Sequence, residues 1–543
     1  MLTKIKTTRS EEQKLETLSP FELKNKLIAL AEENARKSAA QFLNAGRGNP
    51  NWTAAEPRAA FFTLGLFALE EAHKTMNPGH GMAGMPQKPG IANRFREFLE
   101  NNKTSPGTGL LKQALEYGIK KKGFDPDDFV HELADALVGD NYPDPVRMLA
   151  HVEAIVRDYI GQEMCNGNPP KGKYNLFATE GGTAAICYLF DSLIDNFLVK
   201  RGDKIALLLP AFTPYIEIPE LDRYDFEVIK VQASTTDQQG LHTWQYPDSE
   251  IDKLKDPAIK IVFVTNPSNP PSVALHPDTV KRLMGIIKTD NPNLMIITDD
   301  VYGTFVPGFR SLMADLPQNT LGVYSFSKYF GCTGWRLGVI AVHEDNIYDQ
   351  MIAILPARQK QKLEKRYANL SLHPGEIKFV DRLVADSRSV ALNHTAGLSL
   401  PQQAQMALFA LFALLDEKGE YKKLTQNIVQ ERLRLLWEAT GFTLAADPLR
   451  AGYYAEIDIM LWSRKFYGDD FAAYLKLHAD PVDILFRLAE KTSIVLLNGG
   501  GFDGPEWSIR VSLANLDTPD YSIIGKAIAT MLHEYAADWK STQ

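Results

Sequence analysis

Between residues 174 and 342, short and nearly uninterrupted apolar runs alternate with amphipathic segments, and no other feature of the chain constrains its fold as tightly. The runs fall at 175–178, 204–209, 261–265, 294–298, 323–326 and 337–342. A strand with apolar residues at every position must be buried on both faces, as the strands of a parallel sheet are between two helical layers. Helical patterns at 183–200 and 277–289 separate several runs. The expected architecture is therefore an α/β domain around a mostly parallel sheet. Polar residues gather just past the carboxyl ends of the runs, the edge at which open sheets of this kind bind ligands.

The flanking regions read differently. Residues 11–45 are helical and charged, and they end at the turn Gly46-Arg47-Gly48-Asn49-Pro50. A helix is expected over 57–75, whereas 76–109, rich in glycine, proline and asparagine, is expected to be mostly loop. Residues 346–392 are long, charged and strand-poor, suiting an insertion or an oligomer contact. The C-terminal part mixes helices at 420–438 and 469–491 with strands at 453–459, 493–497 and 507–512.

Composition narrows the class of function. With 543 residues the chain is long enough for more than one domain. A formal net charge of −8 argues against nucleic acid or an anionic membrane as the main partner. Cys165, Cys187 and Cys332 lie far apart with no CxxC pair, which is neither a disulfide framework nor a zinc site and fits a reducing compartment. The first residues lack an apolar signal core, and the longest apolar run, 406–415, is too short to span a bilayer. A cytoplasmic protein is expected.

The segment Ser325-Phe326-Ser327-Lys328-Tyr329-Phe330-Gly331-Cys332-Thr333-Gly334-Trp335-Arg336-Leu337-Gly338 carries the strongest chemical signal. A lysine placed just past a buried strand, flanked by hydroxyls and followed eight residues on by an arginine, suits a cofactor with both an aldehyde and a phosphate. The amine would form an imine, and Ser325, Ser327 and Arg336 would neutralise and hydrogen-bond the phosphate. The same lysine on a surface loop would need no ligand.

This segment resembles the lysine motif of the class I and II aminotransferases, and by motif order the resemblance covers roughly residues 40–345 and 395–530. It implies a fold type I pyridoxal-phosphate-dependent transferase, with a large cofactor-binding domain and a small α+β domain drawn from both termini. The boundaries would be 1–110 for the N-terminal part of the small domain and arm, 111–420 for the large domain with insertions at 124–165 and 346–392, and 421–543 for the C-terminal part of the small domain. The implied cofactor is pyridoxal 5'-phosphate, bound covalently by Lys328.

Further positions follow from the same resemblance. Asp299-Asp300-Val301-Tyr302 is similar to the family's D-x-x-Y, which implies Asp299 against the pyridine nitrogen and Tyr302 on the phenolate oxygen. Taken alone, a strand-end aspartate suits a helix cap equally well. Asn266-Pro267-Ser268-Asn269-Pro270-Pro271 resembles the turn that supplies a second phenolate contact, here Asn269, although Pro271 and Ser272 replace the usual threonine and glycine. Gly181-Gly182-Thr183 opens a helix whose backbone N–H groups would hold the phosphate. Phe212, in Pro210-Ala211-Phe212-Thr213-Pro214-Tyr215, would stack on the ring. Arg510, in Ser508-Ile509-Arg510-Val511-Ser512, would grip the substrate α-carboxylate with its bidentate fork.

Length, the two insertions, the loop Gly46-Arg47-Gly48-Asn49-Pro50-Asn51-Trp52 and the Asn-Pro-Ser-Asn-Pro-Pro variant resemble the L-aspartate β-decarboxylase branch of the family. That resemblance implies conversion of L-aspartate to L-alanine and CO2, with aspartate aminotransferase side activity and 2-oxo acids as amino acceptors. Arg47 and Gly48 are then candidates for the distal end of the substrate site, and a solvent-facing loop arginine is the alternative. A homo-oligomer is implied as well. A plain aminotransferase would share every cofactor residue named, so it stays open as the alternative function. A transcription regulator with an aminotransferase-like domain would need a basic helix-turn-helix and a linker, which residues 1–100 do not show.

Overall fold

In the computed structural model, which describes residues 6–38, 41–238, 240–388 and 397–543, seven strands form the central sheet. They are β1 (Tyr174–Thr179), β2 (Lys204–Leu209), β3 (Glu227–Gln232), β4 (Ile259–Thr265), β5 (Met295–Asp299), β6 (Thr320–Ser325) and β7 (Gly338–His343). Their spatial order is β1-β7-β6-β5-β4-β2-β3. All pairings are parallel except those of β7, which runs against both β1 and β6. The carboxyl ends of β1, β2, β4, β5 and β6 therefore open on one edge of the sheet.

The apolar runs are explained by what covers each face. In β2, Ile205, Leu207 and Leu209 join one core while Ala206 and Leu208 join another. Alternate residues of β1 and β7, such as Leu176 and Val339, enter a third core shared with helices Ala55–Thr75, Ile91–Asn101, Ala150–Met164 and Leu400–Leu415. Both faces of these strands are dry, so neither can carry the polar alternation of a solvated sheet.

A fourth core belongs to a smaller unit, in which helix Pro20–Ser38 packs through Leu23, Leu27 and Ala31 on residues of the C-terminal region such as Trp462, Ile484 and Ile528. That unit holds the antiparallel strands β8 (Tyr454–Asp458), β9 (Leu497–Asn498) and β10 (Ser508–Ser512), in the order β9-β10-β8. The pairing Leu43↔Ile494 ties the N-terminal segment to the C-terminal one. Residues 55–101 share the core of the large sheet rather than this one.

Several sequence expectations need correction. The region 76–109 contains helix Ile91–Asn101, whose Ile91, Phe95, Phe98 and Leu99 recur at helical spacing and are buried. Its flanking glycines and prolines mask that period, and Gly90 enters it in the left-handed region. Strand β3 has no counterpart among the expected strands because it is a partly exposed edge strand without an apolar run. The helix expected over 469–491 is two helices, Asp469–His478 and Asp483–Thr492, separated at Pro481. In 124–165, helices Pro126–Val138 and Ala150–Met164 help build the main core. Residues 389–392 of the second expected insertion and 39–40 of the first helical stretch lie outside the described residues. Among the described residues, no helix is long and apolar enough to cross a membrane.

Candidate active site

At the open edge of the sheet, the segments following five strands converge on a cavity of about 470 Å3, closed on its far side by the smaller unit. It is lined by Gly182 and Thr183 after β1, Phe212 and Tyr215 after β2, and Asn269 after β4. Asp299, Val301 and Tyr302 contribute from the end of β5, and Ser325, Ser327, Lys328, Thr333 and Arg336 from β6 and the turn beyond it. The opposite wall is Phe21, Gly48, Asn49, Tyr454 and Arg510. Twelve of the expected site residues thus share one cavity: Gly48, Gly182, Thr183, Phe212, Asn269, Asp299, Tyr302, Ser325, Ser327, Lys328, Arg336 and Arg510.

Each end of the cavity has its own chemistry. Gly181 precedes helix Gly182–Asp195 with φ 97°, and among the described residues no side chain caps the helix, which leaves its first-turn N–H groups for a ligand at the cavity edge. A Cβ at Gly181 would lie 2.4 Å from Nη2 of Arg336, so glycine is what lets the guanidinium close over the helix start. Arg336 itself sits in the left-handed region at φ 55° and donates from Nη1 to the Thr333 carbonyl at 3.0 Å. Ser325 Oγ donates to Ser327 Oγ at 2.9 Å beside it. Helix dipole, arginine and paired hydroxyls together form an anion cradle.

In the middle, Lys328 Nζ donates to the Gly48 carbonyl at 2.9 Å. A Cβ on Gly48 would fall 3.1 Å from Lys328 Nζ and 2.6 Å from the Tyr454 hydroxyl, so the loop can pass this close only as glycine. Asp299 is buried; it accepts from the Tyr215 hydroxyl at 2.6 Å and from the Val301 N–H at 3.2 Å. Burial raises its pKa, opposed by those two donors and by the charge of Lys328.

At the substrate end, Arg510 is 1% exposed. Its Nη1 donates to Asn269 Oδ1 at 3.3 Å and its Nη2 to the Gly46 carbonyl at 3.1 Å, while Nε has no hydrogen-bond partner among the described residues. The rings of Tyr454 and Phe502 lie 4.3 and 4.8 Å from the guanidinium carbon. A buried guanidinium held by neutral acceptors is short of countercharge, which an arriving carboxylate supplies. Asn269 Nδ2 donates to the Tyr302 hydroxyl at 3.4 Å, and that hydroxyl donates to Tyr454 at 3.2 Å. Burial works to raise the Tyr454 phenol, yet Lys328 and Arg510 outweigh it and hold its pKa below the ordinary value.

Arg47 is exposed and stands outside the lining, next to Gly48 on the loop that enters it. Sequence reasoning missed Phe21, Asn49, Tyr215, Thr265, Val301, Thr333 and Tyr454 as wall residues. Tyr215 closes the motif that contains Phe212, which is the signal that could have marked it. Tyr454 lies in an expected strand with no local signature.

The donor set fits a planar cofactor bearing a phosphate and an aldehyde: an anion cradle, an amine beside it, and a buried carboxylate for a ring N–H. Thr265 Oγ1, buried in the same wall without a hydrogen-bond partner among the described residues, offers one more polar contact.

Residues 145–528 match the family model described as aminotransferase class I and II. The chain is 46% identical, over 97% of its length and 98% of the relative's, to a Pseudomonas protein named bifunctional aspartate aminotransferase and L-aspartate beta-decarboxylase. The aspartate aminotransferase structure from Rhizobium meliloti superposes with a TM-score of 0.56 at 14% identity, covering 95% of this chain and 96% of that one. A Thermus thermophilus aspartate aminotransferase with maleate gives 0.53 at 15%, covering 97% and 100%.

Proposed function

The chain belongs to the class I and II aminotransferase family, and we propose that it uses pyridoxal 5'-phosphate to remove the β-carboxyl group of L-aspartate as CO2, leaving L-alanine, with aspartate aminotransfer as a second activity. The full-length likeness to the bifunctional Pseudomonas protein carries this reading. Pyridoxal phosphate, when bound, supplies an aldehyde that captures the amino group and a ring that draws electrons away from the substrate carbons.

The chain's own residues provide the rest. The helix start at Gly181, Gly182 and Thr183, with Ser325, Ser327 and Arg336, would hold the phosphate. Asp299, kept in place by Tyr215, would keep a proton on the ring nitrogen, while Tyr302 and Asn269 would reach the ring oxygen and Phe212 would stack on the ring. Arg510 would take the α-carboxylate, exchanging its neutral partners for a charged one. Lys328 then serves twice, as the covalent anchor and, once released by substrate, as the base that moves a proton at the α-carbon. Arg47, at the rim, is the proposed cation for the far end of aspartate. Its exposure suits the chemistry, because a tightly paired β-carboxylate would be held against loss of CO2.

We further infer a homo-oligomer in the cytoplasm. Phe62, Leu66 and Leu69 form a stripe on helix Ala55–Thr75 and are 64%, 61% and 51% exposed, an apolar face that suits burial against another copy. The three cysteines are free, as a reducing compartment keeps them.

Regiochemistry is the test. Aspartate labelled at the β-carboxyl carbon should release its label as CO2, and aspartate labelled at the α-carboxyl carbon should keep it in alanine. Label released from the α-position would refute the assignment.

A further inference from the structure

β-Decarboxylation has a requirement that aminotransfer lacks. When CO2 departs, the electrons of the broken carbon–carbon bond end in a new carbon–hydrogen bond, so each turnover draws one proton from solvent. Aminotransfer of aspartate moves its proton within the site. If the decarboxylase reading holds, on which this inference rests, a buried site needs a way for that proton to enter.

A second, smaller cavity of about 40 Å3 adjoins the first. Tyr454 lines both. Tyr454, Glu456 and Asp458 occupy alternate positions of β8 and so share one face of the strand. Tyr454 and Glu456 are buried, whereas Asp458 is partly exposed and accepts a hydrogen bond from His242 Nε2 at 3.0 Å. The strand face thus carries proton-bearing groups from the active site towards the surface.

Three residues that line this cavity, Glu456, His242 and Trp437, each carry a buried polar atom, Oε2, Nδ1 and Nε1 respectively, with no hydrogen-bond partner among the described residues. The other Glu456 oxygen accepts from Ser508 Oγ at 2.9 Å. Most of the lining is apolar, including Leu241, Leu433, Leu444 and Trp462. A wholly apolar cavity stays dry, so water here is held at the unsatisfied polar groups, each molecule needing roughly 10–15 Å3 and two or more partners. A short file of water fits.

We propose that this cavity is a water-filled proton-uptake path, in which His242 and Asp458 at its outer end and Glu456 within it return protons to the Tyr454 hydroxyl. Tyr454 gives its proton to the β-carbon as CO2 leaves. The phenolate left behind is stabilised by Lys328 and Arg510, which already depress this phenol against burial. Glu456 restores the phenol through water and is itself restored from the His242 end. One solvent proton enters for each CO2 lost.

The charged and titratable groups around Glu456 are Tyr454 and Asp458 on its own strand, Arg510 on β10, and His242 and Arg450 from the flanking loops. Burial pushes the Glu456 carboxyl up to about 8, with Asp458 adding to the rise and the Ser508 hydroxyl and Arg510 opposing it. It therefore carries a proton to give at neutral pH.

The test compares holoenzyme with its Glu456→Gln variant, given L-aspartate and 2-oxoglutarate together. The ratio of CO2 to oxaloacetate should fall about tenfold or more in the variant, and the solvent deuterium isotope effect on CO2 release should grow. Glu456→Asp, which keeps a titrating group, should recover most of the ratio. Independently of activity, a crystal structure of the wild type should show ordered water on Glu456 Oε2, His242 Nδ1 and Trp437 Nε1. An unchanged ratio in Glu456→Gln, equal loss of both reactions, or a dry cavity overturns the path. A wild type that releases no CO2 from aspartate overturns the decarboxylase reading and the path with it; a wild type that does, with an unchanged ratio in the variant, overturns the path alone.

Discussion

Lys328 meets three requirements at once: it lies within hydrogen-bond reach of the Gly48 carbonyl, beside the anion cradle, and near enough to Asp299 to act on its charge. Lys328→Ala should keep the fold, with a Tm within a few degrees of wild type, and lose turnover by on the order of a thousandfold or more. Borohydride treatment should then attach no cofactor to the chain, and normal turnover in this variant would remove the assignment's foundation. Lys328, Asp299, Tyr302 and Asn269 were legible in the sequence because each sits at or just past the end of one of three buried strands, β4, β5 and β6. Strand order and motif order therefore carry the site. Phe21 and Tyr454 were not, since each is a single aromatic residue brought to the cavity by packing of the smaller unit. No local spacing encodes a contact that exists only after two units dock.

At the scale of elements, the strands show where periodicity suffices. Central strands such as β2 and β4 are read directly from apolar runs, while the edge strand β3 lacks that signal because half of its surface meets solvent. Helix Ala55–Thr75 presents the converse case: its sequence shows no single apolar stripe because it is apolar on two sides. Leu64, Phe67 and Ala68 face the core, and Phe62, Leu66 and Leu69 face outward. Leu66→Glu should leave the protomer folded, since Leu66 is exposed, and should shift the protein to smaller species in sedimentation. An uncompensated carboxylate buried in a subunit contact costs several kcal/mol. An unchanged oligomer would take this helix out of the interface.

For the whole molecule, buried acids set a pH dependence. Burial pushes Asp300 up to about 7, against hydrogen bonds from Ser311 and Thr298, and Glu456 up to about 8. Both values lie above the unfolded ones, so the stability these groups lend is complete at low pH and is lost as pH climbs through the folded values. The Tm of the apoprotein should fall between about pH 6 and about pH 8, and less so in Glu456→Gln. A Tm that rises over this range would show that these acids are not held protonated by the fold. The central claim is chemical, and one measurement addresses it directly: purified holoprotein with L-aspartate and no added oxo acid, following CO2 and alanine. Many turnovers releasing both in equal amounts are the predicted result. An absence of CO2, with oxaloacetate formed only when 2-oxoglutarate is added, would contradict it and leave a plain aspartate aminotransferase.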